Sequence, residues 1–290
     1  MYYKGFNKDM TCKGFQYEEG KEYHEEEAIV CRKGFHACEY PLDCFNYYNP
    51  AESVFHKVEL GEDAHGGGND TKKCSKSIKV GARLDIVGIV KAAINYTREN
   101  CVDGKSSGDQ SALSGGYRSA LSGGYRSALS GGDWSALSGG YQSALSGGDQ
   151  SALSGGNQSA LSGGDQSALS GGYRSALSGG DQSALSGGYR SALSGGDWSA
   201  LSGGNRSALS GGDWSALSGG NRSALSGGDW SVLRGGEGCK YRGGLWSVFA
   251  AEIYDADELI GMKTAVVDGE NIKPDTWYQF DGKEFIESNE

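Results

Sequence analysis

From Ser111 to Gly236 the chain writes one phrase over and over. SALSGG begins at Ser111 and recurs every eight residues through Ser223, fifteen copies in all, and a sixteenth copy, SVLRGG, starts at Ser231. Self-similarity at a fixed interval is the signature of a repeat architecture and constrains folding more tightly than any local propensity. A flexible Gly/Ser linker is the competing reading, because composition alone places the segment among low-complexity chains. Three features oppose it. The register never slips over 128 residues, every SALSGG copy keeps its Ala-Leu pair, and the variation is itself ordered. Asp stands at 133, 149, 165, 181, 197, 213 and 229, and Tyr or Asn at 125, 141, 157, 173, 189, 205 and 221. Gln or Trp follows each Asp, and Arg or Gln follows each Tyr or Asn. The unit is therefore sixteen residues, built of two near-identical halves.

Such a unit fits one coil of a β-solenoid, with Ser-Ala-Leu-Ser as the strand and Gly-Gly-Asp-Trp or Gly-Gly-Tyr-Arg as the corner. About eight coils stacked at ~4.8 Å make a rod roughly 38 Å long. Side chains alternate along a strand, so either Leu or Ala faces inward. Outward Leu would expose apolar ladders far larger than the few hundred Å² a soluble surface tolerates. Leu113, Leu121, Leu129 and their successors are expected inside, with Ala and the second Ser outside. At the corners, Gly is expected to supply positive φ and Asp or Asn to bond the local backbone. Open solenoid ends template further pairing, so both flanking segments are expected to act as caps. The expected fold is mainly β: a β-solenoid of about eight 16-residue coils at 107–236, capped by an N-terminal α+β domain at 1–106 and a C-terminal antiparallel β segment at 237–290.

Stacking turns the variable letters into columns. One edge collects Asp133, Asp149, Asp165, Asp181, Asp197, Asp213 and Asp229, beside Trp134, Trp198, Trp214 and Trp230 or Gln150, Gln166 and Gln182. The opposite edge collects Tyr125, Tyr141, Tyr173 and Tyr189, Asn157, Asn205 and Asn221, and Arg126, Arg174, Arg190, Arg206 and Arg222. The first coil departs from the pattern, with Tyr117 in the Asp column and Asp109 in the Tyr/Asn column. Two readings compete. In one, the columns are turn chemistry and like-on-like stacking. Asp carboxylates ~4.8 Å apart repel by only about 1 kcal/mol in water, which backbone hydrogen bonds offset. In the other, they form a recognition surface, since Tyr, Trp and Arg dominate binding hot spots.

Charge narrows the partners. Residues 1–108 carry a net −2, residues 109–236 a net −1, and residues 237–290 a net −7. No segment has the basic groove of a nucleic-acid binder. A nucleic-acid mimic needs dense negative charge, which a nearly neutral repeat lacks. A flat Ser/Ala face also raises ice binding, but the repeats contain no Thr. No apolar run approaches the roughly 20 residues that span a bilayer. The chain shows no charged-then-apolar secretory leader, so its seven cysteines (12, 31, 38, 44, 74, 101 and 239) are expected as cytoplasmic thiols. A disulfide framework is the alternative.

The flanks have ordinary composition. In the head, Pro41 to Tyr48 suits a short helix, 53–60 a strand, and 77–97 a strand followed by a helix; Pro41 fits a first helical turn. In the tail, LWSVFAAEIYD, MKTAVVDG and DTWYQFDGKEF read as successive antiparallel strands, with a turn at Asp281-Gly282. Cys31, Cys38 and Cys44 match no common zinc spacing, and His24, His36, His56 and His65 are too scattered for a ligand set. GGGND at 66–70 lacks the strand and Lys-Ser/Thr of a phosphate loop. Neither a metal nor a cofactor is expected.

The run YKGF, CKGFQYEEGKEY, CRKGFHACEYPLD, YYNPAE and KVEL, with VDGENIKPDTWYQFDGKEF in the tail, resembles an uncharacterised family of phage and bacterial genomes. In that family a head precedes Gly/Ala/Ser-rich repeats of variable length and a short β tail. The resemblance implies mobile-element origin and no particular activity. The order KGF, GFHA, short helix and VFHKVEL is also similar to the split cleft of ADP-ribosyltransferase-like folds. That likeness implies an NAD-dependent transferase, for which Arg32, His36, Tyr47, Tyr48 and Glu59 are the positions to nominate. The leading expectation is instead a non-enzymatic structural or binding protein whose ladders meet a protein partner or another copy of the chain.

Overall fold

Each Ala-Leu-Ser run forms a strand of three or four residues, and the tetrad that follows returns the chain to the opposite sheet. A computed structural model of the protein describes residues 1–66, 71–100, 103–255 and 258–288. Cys101 and most of the GGGND stretch lie outside these described residues. One sheet stacks ten parallel strands from Asp103–Ser106 to Val248–Asp255, and the other stacks nine from Ala112–Ser114 to Lys240–Arg242. Register advances by sixteen, so that Leu129 pairs with Leu145 and Leu137 with Leu153. Ten strands at ~4.8 Å span about 43 Å. The winding thus runs beyond the octapeptides on both sides.

The core is narrow and regular. Leu121 and its successors through Leu233 are buried between the sheets, as expected. The first Ser of each octapeptide faces inward too: Ser119 and each later copy through Ser231 are buried. Buried hydroxyls need partners, and these bridge rungs. Ser159 donates to the Gly140 carbonyl at 3.2 Å and accepts from the Ser143 amide at 3.3 Å. At the C-terminal end the ladder widens. Tyr241 and Phe249 take the Leu positions, paired with Leu225 and Leu233, and Tyr278 and Phe285 pack against them. The antiparallel strands Glu258–Val266 and Tyr278–Phe280 then pair with the last parallel strand of each sheet. LWSVFAAEIYD and the strand after it pair antiparallel, as expected, and Val248–Asp255 is at the same time the final parallel rung of the solenoid.

The corners correct one expectation. No repeat glycine adopts positive φ; the left-handed position is the eighth letter, with Trp134 at 59°, Gln150 at 55° and Arg190 at 58°. The two glycines serve close approach instead. A Cβ on Gly147 would sit 2.7 Å from the Ser151 Cβ, and one on Gly148 would overlap Asp133 Oδ1.

The head forms a seven-stranded sheet in which Ser53–Leu60 lies antiparallel between Tyr2–Asn7 and Ser77–Leu84. Pro41–Asn46 is a single 3-10 helix that starts with its proline. The sheet leads into helix α1, Ile86–Glu99, whose N-cap Asp85 accepts from the Gly88 amide at 2.7 Å. This helix meets the solenoid along a flank. It crosses the strands that begin at Ala136, Ala152, Ala168, Ala184 and Ala200. Fourteen residues at 1.5 Å give a helix about 21 Å long, and five strands span about 19 Å. Ile89, Val90 and Ala93 pack on Ala168, Ala184 and Ala200. Ala points outward in both sheets, but in this one it is buried under α1. In the other sheet Ala128, Ala144 and their successors through Ala208 stay exposed.

That asymmetry is testable on chemically identical positions. Ala184→Leu, under α1, should destabilise the protein by about 1–3 kcal/mol. Ala192→Leu, on the open sheet, should stay within about 0.5 kcal/mol. Urea unfolding of the two variants measures the difference.

Candidate functional site

The two edges of the rod use the same corner geometry differently. Along the Asp edge each carboxylate reaches the rung above. Asp133 Oδ1 accepts from the Asp149 amide at 3.0 Å, Asp165 from Asp181 at 2.9 Å, and Asp229 from Leu245 at 2.7 Å. The backbone ladder closes the same corner, with the Trp134 amide donating to the Asp149 carbonyl at 2.9 Å. An amide that would otherwise lack a partner inside the corner is satisfied by the seventh letter. Asn does the same on the other edge: Asn157 Oδ1 accepts from Tyr173 and Asn205 Oδ1 from Asn221. Asp109, out of place by charge, accepts from the Tyr125 amide at 2.8 Å. In this column a short side-chain oxygen caps the corner amide where Asp or Asn stands, and Asp supplies it as well as Asn.

The eighth letters divide by neighbour. Trp134 packs on Tyr40 of the head, ring centroids 5.9 Å apart, and Tyr40 donates its hydroxyl to the Gln166 carbonyl at 2.7 Å. Gln150, Gln166 and Gln182 form an amide ladder here, and Gln166 Nε2 reaches Asn46 at 3.3 Å. Farther along, Trp198, Trp214, Trp230 and Trp246 stack face to face, and Trp230 and Trp246 are exposed. The opposite edge pairs Tyr125 with Tyr141 and Tyr173 with Tyr189 in parallel stacks, centroids 5.4 and 5.5 Å apart. Arg126, Arg174 and Arg190 lie 5.0–5.2 Å from the Tyr rings of their own corners. Arg206 lies 5.8 Å from the Tyr189 ring and donates to its hydroxyl at 2.9 Å. Among the described residues, none of Arg126, Arg174, Arg190, Arg206 and Arg222 forms an ion pair.

The head holds a separate cavity of about 580 Å³. Arg32, His36, Tyr47 and Tyr48 line it; Glu59 does not. Glu59 is exposed on Ser53–Leu60, 4.0 Å from Lys79 of the neighbouring strand. The structure therefore gathers four of the five nominated positions and leaves out the carboxylate. His36 is engaged on both ring nitrogens: Nε2 accepts from the Cys31 amide at 2.9 Å, and Nδ1 lies 3.1 Å from the Gly34 carbonyl. Burial, then the charges of Lys4, Lys72 and Lys13, push its pKa down, consistent with a neutral ring donating from Nδ1. Tyr48 meets Cys12 Sγ at 2.8 Å, and burial pushes the Tyr48 phenol up. Sequence reading missed Lys4, which is 6 % exposed and donates to the His36 carbonyl at 3.0 Å. The alternation Tyr2, Lys4, Phe6 along one strand face was the available signal.

A two-sheeted β-solenoid with an α+β domain docked on its flank is the class this architecture defines. Residues 1–92 are similar to a domain of unknown function, DUF7666, a match confined to the head. No curated protein and no solved structure matches the chain.

Asp165→Ala should lower stability by roughly 0.5–1.5 kcal/mol through loss of the corner bond, whereas Asp165→Asn should stay near wild type. Thermal unfolding of both variants tests the ladder. The lowered His36 pKa adds stability that is full above the unfolded imidazole value of about 6.5 and is lost as pH falls through and below it. The unfolding midpoint of wild type should fall more steeply than that of His36→Gln between about pH 7 and pH 5.

Proposed function

We propose that the protein is a non-enzymatic binding rod, in which the solenoid holds the Tyr/Arg edge rigid for an elongated, acidic protein partner. The unpaired arginines carry this reading. The Asp edge is engaged in structure: each carboxylate from Asp133 to Asp229 that lies below another rung caps a backbone amide. The Arg guanidiniums, by contrast, are charged and exposed, with no carboxylate of their own, and those of Arg126, Arg174, Arg190 and Arg206 lie against tyrosine rings. Stacking fixes them before binding and so reduces the ordering cost of association. Their spacing, one or more rungs of ~4.8 Å apart, matches extended carboxylate-bearing chain better than a compact surface. Self-association through the same ladders is the second form of this proposal, and the exposed Trp stack supports it. A mobile-element origin rests on the resemblance of the head and repeats alone.

Poly-L-glutamate serves as the test ligand, with poly-L-lysine as the control. The protein should bind the acidic polymer at low salt and release it as salt is raised. Replacing Arg126, Arg174, Arg190, Arg206 and Arg222 with Ser should weaken binding at least tenfold without altering thermal stability. Equal binding by this variant would remove the edge from the proposal.

A further inference from the structure

The head cavity gathers basic side chains. Lys4, Lys13, Arg32, Lys33 and Lys72 line it, against one carboxylate, Glu25. Lys33 is paired with Glu27 at 3.2 Å. Lys4 is buried yet forms no ion pair among the described residues. Its ammonium has one carbonyl acceptor and faces the Phe6 and Tyr48 rings at 5.5 and 5.8 Å. A buried cation without a counter-charge is costly to maintain in a fold. Lys72 lies 4.3 Å from the Tyr47 ring centroid and bonds its hydroxyl at 2.9 Å. His36 lies among them, and burial first, then the charges of Lys4, Lys72 and Lys13, holds its pKa down. Two lining rings are partly exposed: Phe15, whose ring meets Tyr17 and Tyr23 edge-on, is 46 % exposed, and Tyr47, beside Lys72, is 47 % exposed.

We infer that this cavity binds a small phosphorylated ligand carrying a flat ring, of the nucleoside monophosphate class, with the phosphate at the lysines and the ring against exposed aromatic side chains. The cavity lies in the size range of small-molecule sites. Several cations around one space favour a dianion over a monocarboxylate, because each adds to the same field. Exposed aromatic rings favour a planar group over an aliphatic one. The inference concerns binding alone. His36, committed through both nitrogens to the 31–36 loop, holds that loop in place beside Arg32. It is independent of the solenoid edge, on which nothing in this site depends.

Calorimetric titration of the full chain tests it, with AMP, adenosine, ribose 5-phosphate and inorganic phosphate as probes. AMP should bind most tightly, ribose 5-phosphate and phosphate more weakly, and adenosine at least tenfold more weakly. Arg32→Ala, on an exposed side chain, should weaken AMP at least fivefold, and Lys4→Met at least tenfold. Lys79→Gln, the same charge change outside the cavity, should leave affinity unaltered. Thermal unfolding of Lys4→Met shows whether that variant is folded, and Arg32→Ala carries the test if it is not. No heat with AMP at millimolar concentration, adenosine binding as tightly as AMP, or unchanged affinity in Arg32→Ala would each overturn the inference.

Discussion

Everything in this structure depends on one repeat distance, the ~4.8 Å between hydrogen-bonded strands. A sixteen-residue coil returns the chain to the same lateral position one rung higher, so like residues meet like. The backbone ladder then continues through the corners as well as the strands, as the Trp134-to-Asp149 and Gly132-to-Gly116 bonds show. A core of single leucines is thin for a rod of this length. It suffices because the polar groups beside it are also paired: the buried serines bridge rungs, and Asp or Asn caps the corner amide. Where the ladder must stop, the chain changes its chemistry. Cys239 replaces the inward Ser and still accepts from the Ser223 amide at 3.3 Å, while burial pushes its thiol up. Tyr241 and Phe249 replace Leu, and antiparallel strands follow.

The same geometry explains how two identical faces acquire different roles. Both sheets present outward Ala at every SALSGG rung. Only one receives α1, whose length matches five rungs and whose small and branched residues lie against the Ala ladder. Docking the head there also sorts the eighth letters. Gln166 and Trp134 sit under the head, and the exposed Trp stack begins beyond it. The charged residues follow a parallel division. Asp is engaged with backbone along its edge, and Arg is left to face solvent along the other.

Much of this was legible in the residues. The sixteen-residue unit, the parallel stacking, inward Leu and the opposed columns follow from period and alternation, which are local properties. What escaped was set by contacts between distant segments or by sub-ångström fit. Glycine at the corners suggested positive φ, but Trp, Arg and Gln occupy that region, because the Gly positions are the ones where a Cβ would strike Ser151 or Asp133. Outward Ala was foreseen, yet its burial depends on α1, more than 40 residues earlier in the chain. In the head, strand order was only partly readable. So the nominated Glu59 falls outside the cavity, while Lys4, hidden in an aromatic strand, falls inside it.

The central claim is that the octapeptide region is a hydrogen-bonded stack whose corners are as well paired as its strands. Residue-resolved amide exchange on the intact protein tests it most directly. Protection should extend unbroken from about Ala120 to Val248, with the Asp149, Asp165 and Asp181 amides protected along with those of the Ala-Leu-Ser strands. Corner and strand amides that exchange at the rate of an unstructured chain would contradict the account.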